Sequence, residues 1–423
     1  MTPQAVIPSG GLFAGKTWLS SPEPFPLSET EVEQIRRLGH RLQLFLTTAN
    51  AVYFRSVAGK LPGWIADYAD RGKPAELLEI ARAKGPQREA IPQVIRPDLI
   101  LTESGFCLTE IDSVPGGIGL TAWLNEVYAA WNVIGGVSGM VEGFRSLFPH
   151  GADIVISQES GDYLPEMQWL GDRLGGDFRI AAAETYRPQD RDVYRFFELF
   201  DLPQMPHWRE LANVRVTSPL KPWLEEKLWL ALFWSRPLRE LWRRELRENH
   251  RDALEKIIPR SWIVDPAPLP HHAVIPGLEI SDWDELGEFS QKQRELVLKL
   301  SGFSERAWGS RSVVMGHDVS QDQWRTAVRD AKDSFSTHPY VLQEFHKGKL
   351  VRHPFYDRET GQVREMEGRV RLCPYFFTPP QSREIQLGGI LATICPADKK
   401  IIHGMEDAII VPCRVGERSE PSA

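Results

Sequence analysis

The sequence lacks the features that mark a membrane, secreted or zinc-binding chain. Its 423 residues contain no apolar run of about 18 residues, the length that a membrane-spanning helix needs. The stretch MTPQAVIPSGGLFAGK has no charged start followed by an apolar core, so we expect no signal peptide. Four scattered cysteines without CxxC spacing exclude a disulfide framework and a zinc site, and predict buried free thiols. A cytoplasmic protein is expected.

The chain also lacks an excess of basic residues. It has 50 Lys and Arg against 57 Asp and Glu, a net charge of −7, whereas nucleic-acid-binding domains usually carry a basic surplus. We therefore expect neither a nucleic-acid nor a membrane partner. The length exceeds that of one ordinary domain, which predicts two or three packed units.

Local patterns predict a mixture of helices and strands. Ser28 and Glu31 form a capping box at the start of a helix. An apolar strand at 152–157, a helix at 163–174 and a strand at 178–182 predict a small parallel sheet. The region 220–249 is predicted to be helical. Further strands are predicted at 296–299, 312–315 and 340–343, and a helix is predicted at 320–332.

Three acids lie on a predicted β-hairpin with arms 96–102 and 106–112. Side chains alternate faces along a strand, so Glu110 and Asp112 share a face, and Asp98 joins them if the arms pair. Carboxylate oxygens on a rigid hairpin suit Mg²⁺, which takes one or two carboxylates together with substrate phosphates. The alternative for each acid taken singly is a solvated residue on an exposed strand.

A lysine and a strand end suggest nucleotide contacts. Lys299 ends the apolar strand ELVLK and precedes a loop at 301–310 that is rich in glycine and serine. The N–H groups of this loop would cover a polyphosphate. The loop does not match G-x-x-x-x-G-K-[ST], which argues against a P-loop fold. The strand ending in Gln343 and Glu344 would present backbone groups to an adenine edge. The alternatives are a lysine turned to solvent and an ordinary strand end.

Two further patterns point to anion and substrate contacts. Arg369 and Arg371 share one strand face and would clamp anionic oxygens, or else form surface salt bridges. Residues 157–163 follow a predicted strand at its carboxyl end, where open α/β sheets bind ligands. Their alternative role is to cap the helix that follows.

Taken together, these stretches resemble the ATP-grasp superfamily. LVLKLSGFSERAWGSRSVVMGHDVSQDQW and YVLQEFHKG resemble its lysine strand, phosphate loop and adenine hinge, and RPDLILTESGFCLTEIDSVPGG resembles its magnesium hairpin. SPLKPWLEEKLWLALFW resembles the helix with a second nucleotide-facing lysine. Because the hairpin precedes the hinge, the order is similar to the circularly permuted branch that includes the glutathionylspermidine synthetase domain. No stretch resembles the amidase domain of the bifunctional enzymes.

The resemblance implies an α/β (α+β) chain with a circularly permuted ATP-grasp fold and a pre-ATP-grasp parallel α/β domain. The implied segments are the N-terminal helices with the magnesium hairpin (1–140), the pre-ATP-grasp domain (141–215), a helical connection (216–265), the nucleotide-binding part (266–415) and a disordered tail (416–423).

The resemblance also implies residue roles. Metal ligands would be Asp98, Glu110 and Asp112. Nucleotide contacts would be Lys227, Lys299, Ser310, Gln343, Glu344 and His346. Catalytic contacts to the phosphoryl and acyl groups would be Arg371 and Arg96, with Arg369 as the fallback for Arg371.

The implied activity is an ATP-dependent carboxylate–amine ligase that uses ATP and Mg²⁺ and forms an acylphosphate. Its partners would be a small-molecule or peptide carboxylate and an amine. Asp112 stands where the family usually has Asn, and the loop at 301–310 has fewer glycines than usual. These departures leave open a non-catalytic ATP-grasp scaffold or regulatory protein. A phosphotransferase that stops at a phosphorylated product is a third reading.

Overall fold

The protein has a mixed α/β structure, as the sequence predicts, and the residues that the structure describes form three sheets. This computed structural model describes residues 15, 17–83, 86–307, 311–357, 359–380, 382, 384–399, 402 and 407–418. Ser310 and residues 419–423 of the predicted tail lie outside that part. Within it, no helix is long and apolar enough to cross a bilayer.

The chain forms two compact units, each assembled from separate segments. The first unit comprises Met1–Leu44, Ala90–Leu220 and Gly348–Ala423, and the second comprises Phe45–Glu89 and Lys221–Lys347. The finer division of the chain at 140, 215 and 265 stays a prediction.

Fifteen strands occur in the described part. They are β1 (Phe25–Leu27), β2 (Val94–Thr102), β3 (Gly105–Asp112), β4 (Ala152–Ile156), β5 (Phe178–Ala182), β6 (Val193–Phe196), β7 (Val216–Thr217), β8 (Ser261–Ile263), β9 (Leu296–Leu300), β10 (Val314–Met315), β11 (Tyr340–Glu344), β12 (Leu350–Tyr356), β13 (Val363–Phe377), β14 (Gln386–Pro396) and β15 (Ile409–Val415).

Ten α-helices occur in the same residues. They are α1 (Glu29–Val57), α2 (Trp64–Asp70), α3 (Ala75–Arg82), α4 (Ile118–Val127), α5 (Gly139–Ser146), α6 (Leu164–Leu174), α7 (Leu228–Trp234), α8 (Arg239–Leu246), α9 (Glu248–Glu255) and α10 (Gln321–Asp333). The predicted cap of α1 is confirmed, because Ser28 N donates to Glu31 Oε2 at 2.8 Å and Glu31 N donates to Ser28 Oγ at 3.3 Å.

The first unit contains a seven-stranded sheet built around the long strand β13. The order is β1-β15-β14-β13-β2-β3, and β12 pairs with the first half of β13. All pairings are antiparallel except that of β1 with β15. The predicted hairpin is confirmed as β2 and β3, joined at Gly105, whose φ of +126° suits a residue without a Cβ.

The first unit also contains a four-stranded sheet with the order β5-β4-β6-β7, in which every pairing is parallel. The predicted strand–helix–strand segment is confirmed as β4, α6 and β5. All five residues of β4 are buried, as expected for a strand that is covered on both faces.

The second unit has an antiparallel sheet with the order β10-β9-β11-β8. The predicted strands at 296–299, 312–315 and 340–343 correspond to β9, β10 and β11. Helix α10 packs its buried Trp324 and Val328 against Leu298 and Leu342 of this sheet. The core of the unit therefore lies directly behind the strands that carry Lys299 and Gln343.

The region 220–249, which the sequence predicts to be helical, is helical only in part. It contains α7, α8 and the start of α9, with a 3-10 turn at Arg236–Leu238. Pro237 lies in that turn and has no N–H to continue a helix. Arg247, with φ of +61°, then separates α8 from α9.

Candidate active site

The β2–β3 hairpin brings the predicted acids together in the first unit. Its register pairs Asp98 with Glu110 and Arg96 with Asp112. Arg96 and Asp98 are two residues apart on β2 and so point to the same face. Asp98 is buried, whereas Glu110 and Asp112 are half-buried.

Arg96 is the centre of this cluster. Its Nε donates to Asp98 Oδ1 at 3.0 Å, and its Nη2 lies 3.0 Å from Asp112 Oδ2. Its Nη1 donates to the carbonyl oxygen of Gly116 at 3.2 Å. One guanidinium group thus ties both strands of the hairpin to the loop that follows.

Arg371 reaches the same carboxylate from β13. Its Nη1 donates to Asp98 Oδ2 at 2.9 Å, so Asp98 is held between two guanidinium groups. The Nε of Arg371 is buried and has no hydrogen-bond partner within the part of the chain that the structure describes. A buried donor without a partner is uncommon in folded proteins and often indicates a ligand, water or ion.

The electrostatics of the cluster follow from burial and from these close charges. Burial raises the pKa of Asp112, assisted by the charge of Glu110 and opposed by Arg96. Burial by itself lowers the pKa of Arg96, but the charges of Asp98 and Asp112 raise it well above its ordinary value. The two arginines therefore stay charged across the physiological pH range.

Cys373 lies beside Asp98 and is a neutral thiol. Its Sγ donates to Asp98 Oδ1 at 3.5 Å. Burial, with the charge of Asp98, raises the pKa of this thiol to about 12, which excludes a thiolate nucleophile near neutral pH. All four cysteines are buried and free, as the sequence predicts.

Two tyrosines lie against the loop that follows the hairpin. Tyr375 donates its hydroxyl to Gly116 O at 2.8 Å, the same oxygen that accepts from Arg96. A Cβ on Gly116 would lie 2.3 Å from the ring of Tyr163, and one on Gly117 would lie 2.4 Å from the Tyr375 hydroxyl. Glycine is required at both positions because the neighbouring rings leave no room.

Glu166 fixes the other end of this loop. Its carboxylate accepts from Gly117 N at 2.7 Å and from Leu120 N at 2.8 Å, at the start of α4. These N–H groups have no partner inside the helix, and the positive end of the helix favours a carboxylate. The loop is therefore anchored at both ends around Arg96.

Among the described residues, no group of three or more His, Cys, Asp or Glu side chains is arranged to hold a metal ion. The metal roles of Asp98, Glu110 and Asp112 stay a prediction.

The second unit contains a separate set of predicted nucleotide residues. Lys299 on β9 is buried and donates from Nζ to Gln343 Oε1 on β11 at 2.8 Å. Gln343 Nε2 donates to Ser261 Oγ at 3.2 Å, and Ser261 Oγ donates to Pro259 O at 2.8 Å. The ammonium group thus lies within the sheet rather than turned to solvent.

The predicted hinge has its first N–H groups engaged in the sheet. Glu344 N donates to Arg260 O at 2.9 Å, and Phe345 N donates to Glu295 O at 3.0 Å. The side chain of Glu344 is half-buried, whereas His346 is exposed just beyond the strand. The adenine role of these residues stays a prediction.

Lys227 lies at the start of α7, next to the loop that follows Lys299. Its N–H donates to Ser301 O at 3.0 Å, and its Nζ lies 3.5 Å from Ala307 O. Lys299, Lys227 and Gln343 therefore belong to adjoining segments of the second unit. Ser310, in the same loop, lies outside the described residues.

Two other predicted candidates have structural partners. Arg369 donates to the carbonyl oxygens of Gly348 and Ala397 and does not reach Asp98, so Arg371 and not the fallback joins the cluster. Ser157 donates to Asp201 Oδ2 at 2.9 Å and accepts from Ser160 N at 3.4 Å, so it stabilises a turn before α6 and does not cap that helix.

Sequence reasoning missed four residues that support these sites: Cys373, Tyr375, Glu166 and Ser261. For Cys373 and Tyr375 a signal existed, because they continue the alternation of Arg369 and Arg371 along one strand face. For Glu166 and Ser261 no local signal exists, since Gly117 and Gln343, which they bind, are distant in the sequence.

Comparisons with known proteins concern the fold. No protein-family model and no curated protein matches the chain. A glutathione synthetase-like effector from Globodera pallida, solved in its apo form, has a similar structure with a TM-score of 0.56, 9% identity, and coverage of 94% of this chain and 90% of that one. The chain therefore shares the fold of that effector. The permuted order stays a prediction.

A second solved structure is more distant. The putative gamma-glutamylcysteine synthetase from Methylobacillus flagellatus KT gives a TM-score of 0.42 at 10% identity, over 85% of this chain and 84% of that chain.

Proposed function

We propose that the protein is an ATP-dependent ligase that joins a carboxylate to an amine through an acylphosphate, using Mg²⁺. The observation that carries this proposal is the convergence of Arg96 and Arg371 on Asp98, next to Glu110 and Asp112. Phosphoryl transfer needs cations for the transferring group and carboxylates for a metal ion, and this cluster supplies both.

The buried Nε of Arg371 supports the role predicted for this residue. The described residues give it no acceptor, although the Nη1 of the same group is bonded to Asp98. A phosphoryl oxygen would accept from that Nε. A guanidinium group binds phosphate through two parallel N–H donors in one plane, a fixed geometry that a lysine ammonium does not provide.

Carboxylates of the hairpin fit Mg²⁺ by their chemistry. Mg²⁺ commonly keeps several waters and binds one or two carboxylates together with substrate phosphates, so three clustered side chains are not required. One or two of the carboxylates Asp98, Glu110 and Asp112 would hold the ion. When bound, it would neutralise charge on the phosphates.

The other roles fall to residues of the second unit. Lys299 and Lys227 would bind the phosphates of ATP, and Gln343, Glu344 and His346 would lie along the adenine. Gln343 holds the Lys299 ammonium at 2.8 Å, which limits where that charge can move. Arg371 would stabilise the transferring phosphoryl group, and Arg96 would hold the acyl group that the amine then attacks.

The fold comparison adds support at the level of class. The effector that shares this fold is described as glutathione synthetase-like, which is a synthetase description. We infer the same general chemistry here and leave the acid and the amine to be found by screening.

The test is ADP release from Mg-ATP in the presence of pooled carboxylates and amines. We expect release that requires both pools, and Glu110→Ala should abolish it. Glu103→Ala is the matched control, because Glu103 lies at the exposed turn of the same hairpin. Release that survives Glu110→Ala would contradict the proposal.

Two further measurements separate the other readings. A non-catalytic scaffold would never release ADP, whether or not calorimetry shows that it binds Mg-ATP. A phosphotransferase would give a stable phosphorylated product without any amine. A ligase instead gives a hydroxamate when hydroxylamine replaces the amine, because hydroxylamine traps an acylphosphate.

A further inference from the structure

Ser301 is a buried residue that joins two segments of the second unit. It follows Lys299 by two positions and is fully buried. Its N–H donates to Pro339 O at 2.9 Å, and its carbonyl oxygen accepts from Lys227 N at 3.0 Å. Its hydroxyl accepts from Leu228 N at 2.9 Å. Backbone and side chain of Ser301 therefore both bind the start of α7.

The same hydroxyl donates to the carboxylate of Glu226. Glu226 also forms an ion pair with Lys73, and both side chains are almost completely buried, at 2% and 1% exposure. A buried carboxylate is tolerated when charge and hydrogen bonds compensate it, and here one oxygen faces Lys73 and the other faces Ser301. Glu226 thus has a fixed position between two partners.

The next residue of the loop confirms how close the two segments lie. A Cβ on Gly302 would come within 3.0 Å of Glu225 O and of the Glu226 carboxylate. Glycine at this position therefore allows the loop to lie directly against the segment that precedes α7.

Lys227 lies between the two residues that Ser301 holds. Ser301 contacts Glu226, which precedes Lys227, and Leu228, which follows it. The carbonyl oxygen of Ser301 also accepts from the backbone N–H of Lys227. The side chain of Lys227 extends along the loop to within 3.5 Å of Ala307 O. The contacts of Ser301 with Glu226 and Leu228 therefore fix the backbone from which the Lys227 side chain extends.

We propose that Ser301 and Glu226 are positioning residues that hold Lys227 in register with Lys299, so that both ammonium groups bind the phosphates of one nucleotide. This inference rests on the proposed function, because it assumes that the nucleotide is ATP. Neither residue touches the nucleotide. Both act through Lys227.

The experiment is a double-mutant cycle on Mg-ATP affinity, measured by calorimetry with Ser301→Ala, Lys227→Met and the combined variant. Ser301→Ala should weaken binding by about tenfold, the equivalent of one hydrogen bond to a charged group. In the Lys227→Met background the same change should have an effect of less than about twofold, since residues that act as one unit are not additive. Glu226→Gln should behave like Ser301→Ala.

A matched control removes the effect of lost stability. Ser56 is also buried in the second unit, where it donates to Pro62 O at 2.7 Å and accepts from Ala66 N at 3.1 Å. Ser56→Ala should lower the thermal midpoint and leave Mg-ATP affinity unchanged. Ser301→Cys, which keeps the side-chain volume, replaces Ser301→Ala in the cycle if the alanine variant does not fold.

The outcomes are distinguishable. Additive losses in the cycle, or unchanged affinity in Ser301→Ala, would overturn the inference while the wild-type protein still binds Mg-ATP and the proposed function stands. A wild-type protein that does not bind Mg-ATP would overturn the proposed function and this inference with it.

Discussion

Arg371 donates to the Asp98 carboxylate at 2.9 Å, although the two residues are 273 positions apart in the sequence. Arg369, two positions before Arg371 on β13, donates to backbone carbonyl oxygens instead. Two arginines on one strand face thus have different partners, and their substitution should have different effects.

Arg371→Lys should lower kcat/KM for ADP release by about a thousandfold or more, the range for arginines that stabilise a transferring phosphoryl group. Lysine keeps the charge but lacks the planar pair of N–H donors that binds two phosphoryl oxygens in a fixed geometry. Arg369→Lys is the control, and we expect a loss below about tenfold. Steady-state assays of both variants check this, and equal losses would refute the distinction.

The Lys299–Gln343 contact allows stability to be separated from binding. Gln343→Leu should lower the free energy of unfolding by about 1.5–3 kcal/mol, the range for hydrogen bonds to charged groups. Adding Lys299→Met should restore part of that loss, because an apolar pair needs no partner. Mg-ATP affinity should fall in both variants. Denaturant unfolding and calorimetry measure the two effects, and a double variant less stable than Gln343→Leu would contradict the argument.

Gly116→Ala should destabilise the first unit by about 1–3 kcal/mol, as overpacking usually does. Its Cβ would lie 2.3 Å from the Tyr163 ring, so the loop that accepts from Arg96 and Tyr375 must shift. ADP release should fall with it. Gly176→Ala is the control, because that glycine has open space and needs no positive φ. Equal thermal midpoints for the two variants would show that the loop tolerates the change.

His353 predicts a loss of stability in mild acid. It is buried, its Nε2 lies 3.1 Å from Ser21 Oγ, and burial lowers its pKa from 6.5 to about 4. Below pH 6.5 the unfolded chain takes up a proton that the folded protein does not. The contribution of His353 to the free energy of unfolding therefore falls as the pH drops from 6.5 to about 4, by about 1.4 kcal/mol per pH unit.

Unfolding experiments between pH 4 and pH 8 on the wild type and on His353→Gln test this directly. The variant should have a shallower decrease in stability below pH 6.5, and the two proteins should respond alike above it. An unchanged slope below pH 6.5 in the variant would assign the acid sensitivity to other groups.

The parts of the structure that sequence reasoning predicted depend on neighbours in the chain. Ser28 and Glu31 bind each other within one helical turn, and Gly105 joins two strands that pair directly. The alternation of Glu110 and Asp112 follows from strand geometry alone. These features need no knowledge of the rest of the fold.

The parts that it did not predict depend on pairings between distant segments. Whether Arg369 or Arg371 meets Asp98 is set by the register of β13 against β2, which places Arg371 opposite Ile100. Glu166 caps α4 from another helix, 49 residues away from Gly117. Such pairings are fixed by the packing of whole sheets and helices, which leaves no local pattern in the sequence.

The row of side chains along β13 makes the protein sensitive to changes in chain length at one place. Arg371, Cys373 and Tyr375 reach Asp98 or Gly116 because they occupy alternate positions. Deletion of one residue just before Arg371 would exchange the two faces, so that Leu372 would face Asp98. Deletion of two residues would keep the same side chains on the Asp98 face of the sheet but would shift each of them by two positions along the strand. Insertions in the turn that follows β12, outside the strand, should leave the cluster intact.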